Sequence, residues 1–468
     1  MRAKSPMDIY RLLPRTNCGE CGEKTCMAFA SLLLERKKNL DACPPLSEDK
    51  YASQREKIAE LLAPEIREVV IGEGEKAVKI GGEDVLHRHE LTFFNRTALF
   101  YDVWDTLPAD KLRERVQTIT NWRKFYVGKF LRLNGVAIRS VSNDAKKFEE
   151  CVRIVADETD LPLALCSFSE KVIEAAISHV SERRPLIYAA TERNWSSFVE
   201  LARRYGVPVA LFSPSLDTLA SLAVTFANKG VRDLVLDPGT LPTGKGLAET
   251  FAKFVKLRRA AISEGKKEVA YPLLSVPLVA WLTHKDPVEA SYWEAVIACI
   301  FIIKYADIMI LHGLEPHSLI VERTLVENIY TDPRKPVSVE PGLRIIGSPN
   351  ENSPLFVTTN FALTYYTVES DISSSKIDSY LLVIDTGGLG VESAVAGGQL
   401  SADAVKDALE RFGVEEKVKH KTMVLPGLAA RISGETEDKT GWRVLVGPKD
   451  SGMIPRWMEK SWPPEWLS

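Results

Sequence analysis

Four of the chain's seven cysteines, Cys18, Cys21, Cys26 and Cys43, fall within its first tenth. Their spacing, C-x2-C-x4-C-x16-C, is short enough for four thiolates to converge on one centre without help from distant segments. Gly19 and Gly22 follow the first two; they let the backbone turn tightly and leave amide N–H groups free to point at sulfur. Three chemistries are open to such a set. A 4Fe-4S cluster suits the single C-x2-C pair, the wider spacings and the Cys43-Pro44 ending. Structural zinc usually takes two C-x2-C-like knuckles, and only one is present. Reactive free thiols are the third reading. Cys151, Cys166 and Cys299 sit in apolar periodic segments and read as inert core residues.

The elements that must position the four thiols are local. Thr25 is placed to cap a helix through TCMAFASLLLERKKNL, apolar to Leu34 and basic at its end, where the helix dipole favours cations. That helix returns the chain to Cys43. A charged helical stretch to Pro64 and the glycine-containing GEGEKAVKIGGED follow, which divides the start of the chain into a cysteine domain over residues 1–60 and a linker over 61–94.

Over residues 95–330, eight apolar runs (TALFYDV, VAIRSVS, LALCSF, PLIYAA, VALFSP, DLVLDP, YPLLSV and DIMILH) alternate with amphipathic helical patterns. Eight strand–helix repeats in roughly 230 residues predict a (β/α)8 TIM barrel. An open doubly wound sheet is the competing arrangement. The strand ends carry Asp102, Ser167, Thr191, Ser213, Asp237 and His312, residue types that build sites at the carboxyl face of a barrel. The same types are ordinary loop and N-cap residues. No HExxH or nucleophile–base pattern and no strong polar cluster is visible there, so no catalytic residue is assigned. His87 and His89 read as solvated loop histidines.

A second, smaller α/β unit over 331–468 has strand candidates PLFVTTN, SYLLVIDT, KTMVLPG and RVLVGPK, expected to form a doubly wound, Rossmann-like sheet. Each is followed by a loop rich in Gly, Ser and Thr: TTNFALT, DTGGLGVES, LPGLAARISG and GPKDSGM. All four loops should meet at the carboxyl edge, where such sheets bind ligands. Neutral hydroxyls and close backbone approach suit a large amide-fringed or phosphate-bearing cofactor; small residues that merely make short loops read equally well. GxGxxG is absent, which argues against a dinucleotide.

Composition narrows the partners. A net charge of −3 without basic blocks gives no footprint for nucleic acid. No apolar run reaches the ~20 residues that span a bilayer; EAVIACIFIIKYADIMIL is interrupted by Lys304 and Asp307. The start of the chain has no apolar signal region, and an odd cysteine count is no disulfide framework, so the expected compartment is a reducing cytoplasm.

NCGECGEKTCMAFA with CPP, LLAPEIREV, PLFVTTNFALTYYTVESDI, YLLVIDTGGLGV and TGWRVLVGP together resemble the large (gamma) subunit family of corrinoid iron–sulfur proteins, from one end of the chain to the other. The resemblance implies a methyl carrier of the acetyl-CoA pathway, a subunit with methyltetrahydropterin:corrinoid Co-methyltransferase activity. Co(I) of a cobalamin-type corrinoid in the C-terminal domain would take a methyl group from a methyl-tetrahydropterin and pass it to the acetyl-CoA synthase nickel site. The N-terminal cluster would return Co(II) to Co(I), a redox role that zinc could not fill. Matched by motif, Thr358, Thr364, the backbone of Gly388, Leu389, Gly390 and Val391, and Ser451 would touch the corrinoid. The GPKDSG loop is one residue shorter than the family pattern, which leaves Ser451 the weakest match. The implied partners are a smaller delta subunit in a heterodimer, the acetyl-CoA synthase/CO dehydrogenase subunits and a pterin methyltransferase. D-x-H-x-x-G, which supplies a lower-face histidine in many corrinoid domains, is absent, and only His420 lies in the C-terminal unit. Two other functions fit the same residues: a cluster-bearing electron carrier without corrinoid, and the pterin methyltransferase itself.

Overall fold

The computed structural model describes residues 5–86, 95–126, 129–329 and 336–464; His87 and His89 lie outside them. The chain divides into two compact units, one from residues up to 120 and from 134 to 329, the other from 121–133 and the C-terminal segment.

In the first unit, eight short, almost wholly buried strands lie parallel: β1 (Ala98–Trp104), β2 (Gly135–Arg139), β3 (Leu163–Cys166), β4 (Leu186–Ala190), β5 (Val209–Phe212), β6 (Leu234–Asp237), β7 (Leu274–Ser275) and β8 (Ile308–Leu311). They pair in the order β6-β5-β4-β3-β2-β1-β8-β7. A parallel bridge between Leu236 and Leu273, with Leu236 N–H donating to Pro272 C=O at 2.8 Å, joins the two ends of the sheet. The open-sheet alternative is thereby set aside. Small residues make room inside: a Cβ on Gly135 would lie 2.4 Å from the Phe100 ring.

The segment read as a linker is partly built into this barrel. Val69–Ile71 pairs antiparallel with Val78–Ile80, and Val69, Ile71 and Ile80 pack among the inward-facing Phe100, Ala137, Ala164 and Ile308. Arg67 N–H donates to Ala270 C=O and Gly72 N–H to Arg184 C=O, both ahead of strands, so the hairpin closes the amino end of the barrel. Below it sits a fully buried ion cluster. Arg258 pairs with Glu83 at 3.1 Å and with Asp307 at 2.6 Å, while Asp307 also accepts from the backbone N–H of Leu273 at 2.7 Å.

The second unit holds a five-stranded sheet: β9 (Gly342–Ile346), β10 (Leu355–Thr359), β11 (Ser379–Ile384), β12 (Thr422–Leu425) and β13 (Arg443–Val446), in the order β9-β11-β10-β12-β13. All are parallel except β9, which runs antiparallel to β11 and is absent from the sequence reading. Alternate residues face opposite sides. Leu355, Val357, Leu382 and Met423 pack with Val391, Val405 and Trp442, while Phe356, Leu381, Val383 and Val424 pack with Tyr365, Ile372 and Ile454. Helices therefore cover both faces, as doubly wound sheets require.

Removing Arg258 would leave Glu83 and Asp307 buried as uncompensated carboxylates. Arg258→Ala is expected to destabilise the barrel unit by about 3–5 kcal/mol, read as a lowered midpoint of denaturant unfolding.

Candidate functional site

The cysteine segment is organised by short-range bonds. Thr25 Oγ1 accepts from the N–H of Ala28 and starts the helix Cys26–Leu34. That helix stops at Leu34, before the basic residues assigned to its last turn. Lys38 instead reaches back to donate to Cys21 C=O at 2.6 Å and pairs with Glu23 at 2.7 Å, pinning the Cys18–Cys26 loop. Asn17 Oδ1 accepts from Cys26 N–H at 2.8 Å, and a turn from Gly22 N–H to Gly19 C=O uses the positive φ of both glycines. Cys26 and Cys43 are buried, Cys21 is partly exposed and Cys18 exposed. Burial pushes the Cys43 thiol up, and the neighbouring Cys21, Cys18 and Cys26 add to the rise, so the four sulfurs share one neighbourhood. Among the described residues no three His, Cys, Asp or Glu side chains converge as one metal ion would need. Cys151 and Cys166 are buried and pushed up to about 12, and Cys299 to about 11, mainly by burial, as inert core thiols should be.

At the carboxyl edge of the five-stranded sheet, the chain leaves β10 for one side and β12 for the other, which makes a switch point. A cavity of about 370 Å³ opens there, lined by the ends of β10 and β12, the first turns of the helix Ala362–Ser374 and the loop after β13. Four of the seven residues matched by motif line it: Thr358, Thr364, Val391 and Ser451. Gly388, Leu389 and Gly390 do not line it but stand on the adjoining loop, where a Cβ on Gly390 would lie 3.8 Å from Thr364 Oγ1. Thr358 Oγ1 is buried without a hydrogen-bond partner. Ser451 Oγ is already committed, donating to Asp371 Oδ2.

The residue that holds this edge together is Asn360, which the sequence reading passed over. Its Oδ1 accepts from the N–H groups of Thr386 (3.0 Å) and Gly388 (3.0 Å) and from the Thr386 hydroxyl (2.9 Å), while Nδ2 donates to Asp385 at 3.1 Å. The chain enters the unit beside it. Val339 N–H donates to Asn360 C=O and Ala362 N–H to Val337 C=O. Gly388, at φ +80°, leaves only 2.8 Å between a built Cβ and Pro336 C=O, so no side chain fits. His420 stands at the opposite end of β12. Its Nδ1 accepts from Thr422 N–H and its Nε2 therefore donates to Ser353 C=O, both at 3.0 Å. Burial holds its pKa below the ordinary histidine value.

The strand ends of the barrel differ from expectation. Ser167, Thr191 and Ser213 do act as turn and cap residues, bonding backbone N–H groups two residues on. Asp102, however, is the hub of a polar cluster: His312 Nδ1 at 2.8 Å, Arg115 at 3.0 Å and Arg139 at 2.6 Å. Burial raises the Asp102 pKa, but His312, then Arg139 and Arg115, more than reverse this and leave it below the usual carboxylate value. The cluster was invisible because closing the barrel brings together residues 210 positions apart.

Asn360→Ala is expected to free the 386–388 amides. Their hydrogen exchange should rise at least tenfold while β10 and β11 keep their protection; unchanged exchange would deny Asn360 its clamping role.

The chain matches the family model described as "CO dehydrogenase/acetyl-CoA synthase delta subunit" over residues 68–458, and one described as "Putative Fe-S cluster" over residues 13–45. It is 56 % identical to the acetyl-CoA decarbonylase/synthase complex subunit gamma of Methanosarcina acetivorans, over 99 % of this chain and 100 % of that one. The subunit of the same name from Archaeoglobus fulgidus is 54 % identical with the same coverage. Among solved structures, dihydropteroate synthase from Thermus thermophilus aligns at 16 % identity over 56 % of this chain and 98 % of that one, with a TM-score of 0.39, too distant to add to the barrel seen directly. With identity above one half along both whole lengths, the chain belongs to the gamma-subunit family of acetyl-CoA decarbonylase/synthase complexes.

Proposed function

We propose that this chain is a corrinoid methyl carrier of such a complex, and the observation that carries the reading is the switch-point cavity with its buried, unpartnered Thr358 hydroxyl. An isolated hydroxyl in a protein interior costs stability unless something pairs with it. A corrinoid fringed with amide groups offers both donors and acceptors, and the hydroxyls of Thr358 and Thr364 with the rim at Gly388, Leu389 and Gly390 match that fringe. When bound, its Co(I) supplies the nucleophile that accepts a methyl group from a methyl-tetrahydropterin and yields it to the acetyl-CoA synthase nickel site. The residues bind and orient: Asn360 presets the rim loop, Val391 and Leu363 give apolar wall, and Ser451 ties the last loop to Asp371. His420 has both ring nitrogens engaged at the far end of its strand, so it offers no axial donor.

Cys18, Cys21, Cys26 and Cys43 would hold the 4Fe-4S cluster, whose chemistry is the low-potential electron that restores Co(I). Support comes from the match of residues 13–45 and from the single C-x2-C pair with its wider spacings and Cys43-Pro44 ending. A smaller delta subunit and the synthase subunits are the partners this reading implies.

Anaerobically purified protein supplied with corrinoid should carry about four iron and one cobalt per chain. Cys43→Ala should lose iron and keep cobalt; zinc in place of iron in the unaltered chain would overturn the redox role. Thr358→Val keeps shape and deletes the orphan hydroxyl. It should leave the corrinoid-free chain equally or more stable to denaturant and weaken corrinoid binding by about 1 kcal/mol, roughly fivefold.

A further inference from the structure

Between the helix Ala109–Asn121 and β2 the chain makes a hairpin, in which Arg123–Tyr126 pairs antiparallel with Lys129–Arg132. It joins neither of the two large sheets. Its sequence departs from the even spread of charge along the chain: residues 123–132 hold four cations, Arg123, Lys124, Lys129 and Arg132, and no acid.

Alternation along the strands divides the hairpin into two faces. Leu131, opposite Lys124, is 3 % exposed, so that side is seated in the protein. The other side carries two directly opposed pairs, Arg123 with Arg132 and Phe125 with Phe130, and all four side chains are exposed. The two rings meet edge to face at 5.5 Å between centroids, and the Arg123 guanidinium lies 5.4 Å from the Phe130 centroid. Among the described residues neither arginine has an ion-pair partner.

Left bare, such a face costs stability. Like charges directly opposite on neighbouring strands repel, the rings forgo burial, and a two-stranded hairpin has little stability to spare. The face becomes favourable once carboxylates bridge the two guanidinium groups and an apolar group covers the rings. Arginine and aromatic side chains are also the types enriched at the buried centres of protein interfaces. A nucleic acid fits less well. Arg123 occupies a face of Phe130 that a base would need, and a net charge of −3 gives no long-range attraction for a polyanion. A second copy fits less well again, since a self-complementary contact would set these arginines against themselves.

We propose that the Arg123–Phe125–Phe130–Arg132 face docks another subunit of the complex, through a surface on which carboxylates flank an apolar side chain. The arginines take the carboxylates and the two rings fill the apolar contact. The inference rests on membership of the complex family and is independent of the corrinoid reading.

The test titrates the full chain with each of the other subunits of the complex, purified separately, and follows association by biolayer interferometry at about 0.15 M salt. Arg132→Glu turns a repelling cross-strand pair into an attracting one, so the isolated chain should unfold at an equal or higher denaturant concentration. It should nevertheless weaken association with one subunit by about tenfold or more. Phe125→Ser should do the same, and that subunit should slow hydrogen exchange of residues 123–126 and 129–132 in the unaltered chain. Association with every subunit unchanged in both variants would overturn the proposal. So would a lowered unfolding midpoint for Arg132→Glu, which would make the arginine structural. Binding of single-stranded poly(U), or self-association of the unaltered chain, that is lost in Arg132→Glu would also overturn it and assign the face to nucleic acid or to a second copy.

Discussion

Parallel strands cannot return through tight turns, and that constraint shapes both units. Each strand must be followed by a crossover, so the segments leaving the strands collect at one edge and those arriving collect at the other. In the barrel, the arriving edge is filled by the Val69–Ile80 hairpin and the Arg258–Glu83–Asp307 ion cluster, while the departing edge carries Asp102, Asp237 and His312. In the five-stranded sheet the departing edge carries Thr358, Asn360 and the loop from Thr386 to Gly390, and His420 is left at the arriving edge. In the barrel, closing contacts and the polar strand-end residues thus lie at opposite ends of the strands.

How much of this was legible depended on how local the signal was. The four cysteines needed only their spacing and two glycines. The eight barrel strands could be read because strands buried on both faces are short, almost purely apolar runs. Strand β9 was missed because Gly342–Ile346 is an edge: Arg344 interrupts it, Ile345 is exposed, and little apolar periodicity survives. The Val69–Ile71 strand hid at the end of a charged helical pattern, since three residues cannot establish a period of two. Lys38 was counted as a helix-end charge, whereas the helix ends four residues earlier and frees it to hold Cys21.

From composition the candidate site was legible only in its neutral, small-residue character; the family resemblance added Thr358, Thr364, Val391 and Ser451, which do line the cavity. Which hydroxyls line the cavity and which do not follows from helix starts and strand ends at a resolution that loop composition lacks. Asn360 illustrates the limit. As a residue type after a strand it is unremarked, yet three hydrogen bonds converge on its Oδ1 because β10 and β11 are neighbours in register, with Thr359 opposite Ile384. Asp102 is the barrel's version, since its partners are supplied by β2, by the residue that follows β8 and by a helix.

The antiparallel direction of β9 has a mechanical meaning. Because it runs against its neighbours, it begins at the edge where they end, and residues 336–341 lie along Asn360 and Gly388 instead of at the far side of the sheet. Residues 336–341 are therefore stitched to the loop beside the cavity, and loosening them would loosen Asn360 and the turn at Gly388 before it touched the core of the sheet.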